Sequence, residues 1–454
     1  MITHILFRCT CLLFVILLGQ AAYGKELPNV ILILADDVGF ECFSSYGSEE
    51  YSTPRLDALA KNGIRFTNCH STPLCTPSRV NLMTGKSNVF NYVDFGVFPR
   101  NEPTFAQHFK KFGYKTAVAG KWQLLTEDGG ITPRDAGFDT YCLWNTPQTT
   151  RERYWNPSLD QNGSLLELPE GSYGPTVVND FLLDFIRENK DGPFFVYNPL
   201  ILPHNPFPVT PHSSDPNEKD DKKNFIDMVQ YIDYLVGRIV DTLEELGIRD
   251  NTLVIFTGDN GTNSVLTSEL RGEEIPGGKG YTHDYGTHVP LIVNWPGTIP
   301  ENQVNEALVA FSDFFPTIVE ATGVEPKAIT NGDGISFWPQ CMGDEGTSRE
   351  SVYGYYFPRP YSKKFDDKYS HWEVRYARDK RYKLYGNGDL YDTVNDVMEK
   401  SSIRAGGEDL ESDKARRKLQ EVLDSFPTSG ALIDYSRVNG KMPEVVKVGG
   451  DKPE

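Results

Sequence analysis

Two pairs of polar side chains could supply oxygen ligands to a cation. Asp36 and Asp37 end the apolar run NVILILADD, and Asp259 and Asn260 end the run NTLVIFTGDN. Carboxylate and amide oxygens are the ligands that Ca²⁺ and Mg²⁺ prefer. Asp and Asn are also common in caps and turns, and that role explains either pair alone at least as well. Two pairs after two buried strands of one sheet make a cation site an equal alternative.

A cysteine stands directly before the sequence TPSR, where a short helix is expected to begin. Thr76 can cap this helix, Pro77 fits its first turn, and Gly85 fits its end. The helix N-terminus and Arg79, one turn in, would both favour negative charge at Cys75. A thiolate nucleophile and a small buried hydrophobic residue are therefore both open interpretations of Cys75.

Three further residues could act as acids or bind an anion. His204 lies in a proline-flanked turn, Lys121 ends the run AVAGK, and Lys279 lies in the glycine-rich loop PGGKGYTHDYG. Histidine can serve as a general acid, and lysine can hold an anion. Each of the three is also explained as an ordinary loop residue.

The elements that must position these residues alternate between strands and helices. Apolar, β-branched runs predict buried parallel strands, and residues 223–247 predict a long amphipathic helix. This order predicts an α/β protein with a large, mostly parallel central sheet flanked by helices. Ligands of such sheets collect at the carboxyl ends of the strands, where both acidic pairs lie.

The chain is expected to have four parts. Residues 1–24 have the positive start, apolar core and small-residue cleavage site of a secretory signal peptide. Residues 25–345 are expected to form the catalytic α/β domain. Residues 346–440 contain short aromatic strands and a charged helix, which predict a small antiparallel β-sheet subdomain with one helix, and residues 441–454 a loose tail. We therefore expect an exported protein, periplasmic or secreted, with no stable membrane anchor.

Composition restricts the partners. A net charge of −18 over 454 residues argues against nucleic acid, so any anion site must be built locally from cationic groups. Removal of residues 1–24 would leave an odd number of cysteines, which in an oxidising compartment points to a free or modified one. These are Cys42, Cys69, Cys75, Cys142 and Cys341.

Taken together, the motifs resemble those of the type I sulfatases of the alkaline-phosphatase-like superfamily. The run CTPSRVNLMTG fits the signature C-x-P-S-R-x-x-x-x-T-G at each defined position. The runs NVILILADDVG, GKW, PHNPF, TGDNG and GGKGYTHDYG stand in the family's order. The resemblance spans nearly the whole mature chain. It implies an alkaline-phosphatase-like fold and hydrolysis of sulfate esters, with a sulfated carbohydrate as the expected substrate.

The resemblance also implies a modified nucleophile. In this family a formylglycine-generating enzyme oxidises the signature cysteine to formylglycine (3-oxoalanine). One hydroxyl of the hydrated aldehyde attacks sulfur and displaces the alcohol. The second hydroxyl then loses its proton and expels sulfate, which regenerates the aldehyde. One Ca²⁺, rather than Mg²⁺, is implied as the cofactor. Its implied ligands are Asp36, Asp37, Asp259, Asn260 and the modified Cys75.

Roles for the remaining residues follow from the same resemblance. Arg79 would steady the hydrated aldehyde, and Lys121 and Lys279 would bind sulfate oxygens. His204 would protonate the leaving alcohol, alone or with Lys279, and Asp259 would help to deprotonate the attacking hydroxyl. The implied catalytic residues are Cys75, Arg79, Lys121, His204 and Lys279, and the implied substrate-binding residues are Lys121, Gln123, His204 and Lys279.

Gln123 departs from the family pattern, which has histidine after GKW. Glutamine can donate a hydrogen bond but cannot take a proton at neutral pH, so the base for the elimination step is unassigned. His70 and His283 are candidate substitutes because they lie near the motifs in sequence. His288 stands where arginine is usual. We hypothesise that the altered pair marks a subgroup with its own substrate; a Gln123→Ala variant with wild-type turnover would dismiss a direct role.

Two alternative functions stay open. The first is hydrolysis of phosphonate or phosphate esters, which relative rates on matched sulfate and phosphate esters would distinguish. The second is a catalytically impaired protein that binds sulfated glycans. The insert RERYWNPSLDQNG could stack on sugars or simply pack. The sugar, the sulfate position, endo or exo action and the oligomeric state are not defined by the sequence.

Overall fold

The structure, a computed structural model, describes residues 27–126, 129–325, 332–344, 346–357, 373–406 and 410–428, and the backbone of two short strands beyond them. The predicted signal peptide lies outside the described residues. No helix in the described part of the chain combines the length and apolar character that crossing a membrane requires.

Strands and helices alternate through most of the chain. The strands are β1 (Asn29–Ala35), β2 (Ile64–His70), β3 (Lys115–Lys121), β4 (Leu125–Thr126), β5 (Gly129–Gly130), β6 (Thr140–Trp144), β7 (Asp160–Gln161), β8 (Ser164–Leu165), β9 (Phe194–Pro199), β10 (Thr252–Gly258), β11 (Thr267–Leu270), β12 (Glu273–Pro276), β13 (His288–Asn294), β14 (Gln303–Ala310), β15 (Val352–Tyr356), β16 (Val374–Arg378), β17 (Tyr382–Tyr385), β18 (Leu390–Asp392), β19 (Ala431–Ile433) and β20 (Val445–Val448). The α-helices are α1 (Pro54–Lys61), α2 (Cys75–Thr84), α3 (Asn88–Asn91), α4 (Phe105–Lys111), α5 (Gly174–Glu188), α6 (Asp221–Glu245), α7 (Asp284–Thr287), α8 (Phe314–Thr322), α9 (Trp338–Cys341) and α10 (Leu410–Ser425).

A ten-stranded sheet forms the centre of the molecule, in the order β14-β2-β13-β10-β1-β9-β3-β6-β7-β8. Its middle strands β10, β1, β9, β3 and β6 are mutually parallel. Strand β13 runs antiparallel to both of its neighbours, and β7 and β8 form an antiparallel edge. The prediction of a large, mostly parallel sheet is therefore confirmed for its centre, where the candidate site lies.

Helices cover both faces of this sheet, because the side chains of its central strand alternate between two apolar cores. Ile31 and Ile33 of β1 join the core that contains α1, α5 and α6. Leu32 and Leu34 join the core that contains α2, α4 and α8. All residues of β1 are buried, as expected of a strand covered on both faces.

The C-terminal part contains a second, smaller sheet. Strands β15, β16, β17 and β18 are antiparallel neighbours, and α10 packs on β16 and β17. This confirms the predicted antiparallel sheet with one helix. Residues 441–454, expected to be a loose tail, contain β20, which pairs antiparallel with β19.

Candidate active site

The two polar pairs, Asp36–Asp37 and Asp259–Asn260, meet at the carboxyl ends of β1 and β10, which are parallel neighbours in register. The backbone N–H of Asp37 donates to Asp259 Oδ1 (3.0 Å), and Asn260 Nδ2 donates to Asp37 Oδ1 (3.0 Å). Ligand atoms of Asp36, Asp259 and Cys75 all lie within 4.8 Å of one another. The topology thus brings together side chains that lie more than two hundred residues apart in the sequence.

Asn260 carries an oxygen suited to a cation. Its Oδ1 is buried and accepts no hydrogen bond from the described residues. A buried acceptor of this kind is costly unless a donor or cation satisfies it. Together with the neighbouring carboxylates it gives a donor set of the kind that hard cations prefer. The residues present therefore fit the Ca²⁺ that the resemblance implies.

Helix α2 begins at Cys75 itself, two residues before the start at Pro77 that a cap at Thr76 would give. The predicted cap is therefore wrong: the N-cap is Leu74, which contributes no side-chain hydrogen bond. Gly85 ends the helix in the left-handed conformation, with φ of 67°. Burial raises the pKa of the Cys75 thiol to about 12, against the effect of Lys121. A thiol with this pKa stays protonated near neutral pH, so unmodified Cys75 is a poor nucleophile.

Two buried cations neutralise the carboxylates. The Arg79 guanidinium donates to Asp259 Oδ2 (3.0 Å) and Asp36 Oδ1 (3.4 Å), and to the Lys121 carbonyl (2.8 Å). Lys121 Nζ donates to both oxygens of Asp36 at 2.8 Å. Burial opposes ionisation of Asp36, but Lys121, followed by His204 and Arg79, holds its pKa well below the usual range. Asp36 is therefore ionised at neutral pH.

Asp259 differs from its neighbour. Burial and the nearby Asp36 carboxylate raise the pKa of Asp259 to about 7, although Arg79 counteracts them. The two carboxylates therefore repel each other in a site of low dielectric constant. A cation bound between them would favour the ionised form of both.

His204 and Lys279 reach the same site from two separate loops. Lys279 Nζ donates to Asp37 Oδ2 and lies 3.3 Å from His204 Nε2. His204 Nε2 is 3.6 Å from the same carboxylate oxygen, and both side chains are 18% exposed. Burial lowers the pKa of His204 to about 4 in spite of Asp37. These two residues border the opening of the site.

Arg153 is a site residue that the sequence analysis missed. Its Nη2 lies 3.1 Å from His204 Nδ1, and its guanidinium stacks over the Trp144 ring at 4.5 Å from the centroid. Trp144 ends β6 beside Lys121 at the end of β3, so the ring is fixed by the central sheet. The sequence does contain a signal, because Arg153 is a cationic residue of the insert RERYWNPSLDQNG. The interpretation of this insert rested on its aromatic residues instead.

Of those aromatic residues, Tyr154 packs inside the protein and Trp155 is half-buried. Tyr154 is 5% exposed, and its hydroxyl donates to the carbonyls of Ile201 (3.3 Å) and His204. The Trp155 indole donates to the Val209 carbonyl at 2.9 Å. The suggested sugar stacking is therefore wrong for Tyr154, which instead ties the insert to the turn that carries His204.

Neither candidate base, His70 or His283, hydrogen-bonds to Cys75 in the described part of the chain. The Cys75 sulfur instead contacts Asp37 Oδ1 at 4.0 Å. Gln123 lies two residues beyond β3 in a left-handed conformation (φ 55°), with its amide oxygen buried and unpaired. The His283 ring stacks on Tyr281. Involvement of Gln123 in turnover stays a prediction.

His70 belongs to a different group of buried charges. Its Nδ1 lies 3.4 Å from Arg378 Nη1 and 3.5 Å from Thr287 Oγ1. Arg378, from β16 of the small sheet, also pairs with Asp284, whose other oxygen is 3.1 Å from His288 Nδ1. Burial and Arg378 lower the pKa of His70 well below its ordinary value. We call His70, Asp284, His288 and Arg378 the interface cluster, since it joins the two sheets.

A second set of contacts ties the small sheet to the loop that carries Lys279. Lys383 Nζ donates to the Thr282 carbonyl and to Glu399 Oε1 (2.8 Å). The Tyr385 hydroxyl lies 2.9 Å from Thr282 Oγ1 and donates to Glu399. The C-terminal subdomain therefore holds one wall of the site in place.

The five cysteines outside the predicted signal peptide are free and buried, so their odd number reflects unpaired thiols. These residues are Cys42, Cys69, Cys75, Cys142 and Cys341.

Comparison with known proteins gives consistent results. Residues 28–324 match the sequence model described as Sulfatase, and residues 277–426 match that described as N-sulphoglucosamine sulphohydrolase, C-terminal. Arylsulfatase G of Rattus norvegicus is 30% identical over 379 residues, which cover 72% of this chain and 71% of that protein.

Two solved structures have the same fold. One is Ps i-CgsB in complex with k-i-k-neocarrahexaose, with a TM-score of 0.70 and 24% identity over 88% of this chain and 92% of that one. The other is BT4656 in complex with its substrate D-glucosamine-2-N,6-O-disulfate, with a TM-score of 0.70 and 21% identity over 88% and 97% of the two chains. These similarities confirm the predicted alkaline-phosphatase-like architecture.

Proposed function

Since this chain belongs to the sulfatase family, whose members hydrolyse sulfuric esters, we propose that it removes sulfate from a sulfated carbohydrate outside the cytoplasm. We propose further that Cys75 is converted to formylglycine and that one Ca²⁺ is the cofactor. The signal-peptide pattern of residues 1–24 supports export.

One observation carries the proposal: the buried sulfur of Cys75 lies among the oxygen ligands of the candidate cation site. Ligand atoms of Cys75, Asp36 and Asp259 are within 4.8 Å of one another, and Asn260 adds an unpaired buried oxygen. An oxygen nucleophile made from Cys75 would therefore stand among charges suited to hold it.

The bound cation would supply positive charge for the sulfate oxygens and the nucleophile, and formylglycine would supply the attacking hydroxyl. Asp36, Asp37, Asp259 and Asn260 would hold the cation.

The cationic side chains have separate tasks. Arg79, locked between two carboxylates, keeps those ligands in place. Lys121 and Lys279 would each donate to sulfate oxygens, where negative charge builds up as the ester bond breaks.

We assign His204 as the proton donor for the leaving alcohol, although burial lowers its pKa to about 4. The negative charge of a bound sulfate ester would favour the protonated form of His204. Its Nε2 faces Lys279 and Asp37, and the ring is partly open to the surroundings of the site. A donor at this position stabilises the alkoxide as it leaves, which is the least favourable part of sulfate ester cleavage. Roles for Gln123 and for the base of the elimination step are left to experiment.

A carbohydrate substrate is supported by the ligands of the two structural relatives, neocarrahexaose and a disulfated glucosamine. The net charge of −18 gives no general attraction for an anionic substrate, so recognition of a sulfated sugar would depend on the local cations.

The test begins with peptide mass spectrometry across Cys75, on protein from a host that carries the formylglycine-generating enzyme. We expect a mass corresponding to aldehyde in place of thiol. Sulfate release from a panel of sulfated monosaccharides and oligosaccharides follows, with Cys75→Ala as the blank. An unmodified thiol in a host that converts a control sulfatase, or a faster rate on 4-nitrophenyl phosphate than on 4-nitrophenyl sulfate, would overturn the proposal.

A further inference from the structure

Arg153 is a cation of the site that has no carboxylate partner among the described residues. Arg79, Lys121, Lys279 and His204 each face an aspartate of the strand-end group. The contacts of Arg153 are instead the His204 ring, the Trp144 ring and the Tyr154 ring, at 3.1 Å, 4.5 Å and 5.3 Å. In a chain with a net charge of −18, an uncompensated guanidinium beside the active site stands out.

The guanidinium is held in a fixed position. Its plane lies over Trp144, whose indole donates to the Thr150 carbonyl at 3.1 Å. Tyr154, the next residue, anchors the insert to the turn that carries His204. Stacking of this kind orders an arginine without using up its hydrogen-bond donors. The side chain is half-buried, and its Nε is buried without a hydrogen-bond partner.

Its place in the site indicates which part of the substrate it meets. Arg153 contacts Nδ1 of His204, whereas Lys279 contacts Nε2 of the same ring. Lys279 lies on the side of Asp37, where sulfate would bind. Arg153 therefore lies across the imidazole from the sulfate, on the side where the leaving alcohol would lie if His204 protonates it.

We propose that Arg153 binds a second anionic group on the sugar that loses sulfate, so that the preferred substrates carry two acidic groups on that sugar. This inference rests on the proposed function, because it takes His204 as the residue that faces the leaving alcohol. A guanidinium cannot accept a hydrogen bond or lose its proton, and its planar donors match the paired oxygens of a sulfate, sulfamate or carboxylate.

The experiment compares probes that do not depend on sugar identity. Binding of ethanesulfonate, ethane-1,2-disulfonate and 3-sulfopropanoate to the Ca²⁺-loaded protein is measured by titration calorimetry. The first probe has one anion, the second adds a sulfonate, and the third adds a carboxylate. For the wild type we expect at least one two-anion probe to bind on the order of tenfold more tightly than ethanesulfonate, as a charge-assisted pair allows.

Variants at Arg153 test whether this residue causes the tighter binding of the two-anion probe. In Arg153→Met the two-anion probe should lose its advantage, and in Arg153→Lys it should keep part of it, because the charge remains without the planar donors. Arg151→Met is the matched control, since Arg151 is an exposed arginine of the same insert. Arg151→Met should keep the full advantage. Should Arg153→Met fail to fold, Arg153→Lys decides the question by the size of its loss.

Several results would overturn the inference. The wild type could show no advantage for either two-anion probe, including no measurable binding of any probe. The advantage could persist in Arg153→Met. All three affinities could fall by one common factor, which would make Arg153 a residue that positions His204 only. Sulfate release is measured separately, so a protein that keeps the Arg153-dependent preference without releasing sulfate would refute the proposed function alone.

Discussion

The strand-end site, which comprises Asp36, Asp37, Cys75, Asp259 and Asn260, and the interface cluster are two buried polar groups with opposite properties. In the strand-end site, ligand atoms of Asp36, Asp259 and Cys75 converge, and the oxygen of Asn260 has no hydrogen-bond partner in the part of the chain that the structure describes. In the interface cluster, Arg378 donates to Asp284, to the Asp379 carbonyl (3.1 Å) and to Thr393 (3.4 Å).

The difference separates a reactive site from a structural one. A carboxylate whose two oxygens are both paired inside the protein, as those of Asp284 are with Arg378 and His288, needs no ligand and holds its elements together. This holds even though His70 Nε2 of the same cluster is buried without a partner among the described residues. A group that leaves an acceptor unpaired and crowds two carboxylates is suited to a cation and a substrate. Burial alone would not distinguish the two groups, since Asp36 is 0% exposed and Arg378 is 4% exposed.

The largest expected effect is on turnover at the strand-end site. Cys75→Ala should lower sulfate release by at least about a thousandfold, because the residue that becomes the nucleophile is gone. Its melting temperature should stay within several degrees of wild type, since one buried sulfur contributes little to the core. Steady-state kinetics and thermal unfolding check the two parts. Clear residual turnover would mean that Cys75 is not the nucleophile.

Substitutions in the interface cluster should lower stability rather than act directly on turnover. Arg378→Met leaves Asp284 buried without its cation, which should cost about 3 kcal/mol or more in the free energy of unfolding. The double variant Arg378→Met/Asp284→Asn should recover part of this loss, because the unpaired charge is removed. Denaturant unfolding measures both. Wild-type stability in Arg378→Met would show that the cluster does not hold the sheets together.

Removal of the cation should give an intermediate effect at the strand-end site. Ca²⁺ at a hundred times its dissociation constant should stabilise the protein by about 2.7 kcal/mol, and a chelator should reverse this. Asp259→Ala removes a predicted ligand, so its melting temperature should respond weakly to Ca²⁺. Equal responses of Asp259→Ala and wild type would exclude Asp259 as a ligand.

The smallest expected effect is the response of the interface cluster to acid. The pKa of folded His70 lies well below the ordinary 6.5, because burial and then Arg378 oppose its charge. Unfolded His70 therefore takes up a proton near pH 6.5 that the folded protein does not, so stability present above this pH is lost as the pH falls.

The contribution of this one group is at most about 1.4 kcal/mol per pH unit. His70→Asn should reduce the slope of unfolding free energy against pH in this window, and the exposed His212 provides the control variant His212→Asn. A slope that stays the same in His70→Asn would contradict the assignment.

Short motifs account for what the sequence predicted well. Asp36 and Asp259 follow apolar strands, and Cys75 begins a helix with a recognisable local pattern. The ends of parallel strands lie at one edge of the sheet, so the two aspartates were expected to be close together. The direction of β13 was not predictable, because an apolar run looks the same in either orientation.

Contacts between distant segments were missed for a different reason. Arg153 meets His204 over a separation of 51 residues, and His70 meets Arg378 over 308 residues. Neither contact has a periodicity or a local pattern, since it depends on how loops leave the sheet. His70, a candidate base because it lies near Cys75 in sequence, instead makes its hydrogen bonds in the interface cluster.

Lys383 and Tyr385 hydrogen-bond to the backbone and the side chain of Thr282. These bonds limit where the chain can be truncated or joined to segments of a relative. Residues 277–324 are covered by both matching family models. The Lys279 loop is therefore shared by the two matched regions in sequence, and it also contacts the small sheet. A chain cut near residue 345 would keep the central sheet but lose the residues that hold this loop. Chimeras between relatives should therefore exchange the Lys279 loop and the small sheet as one unit.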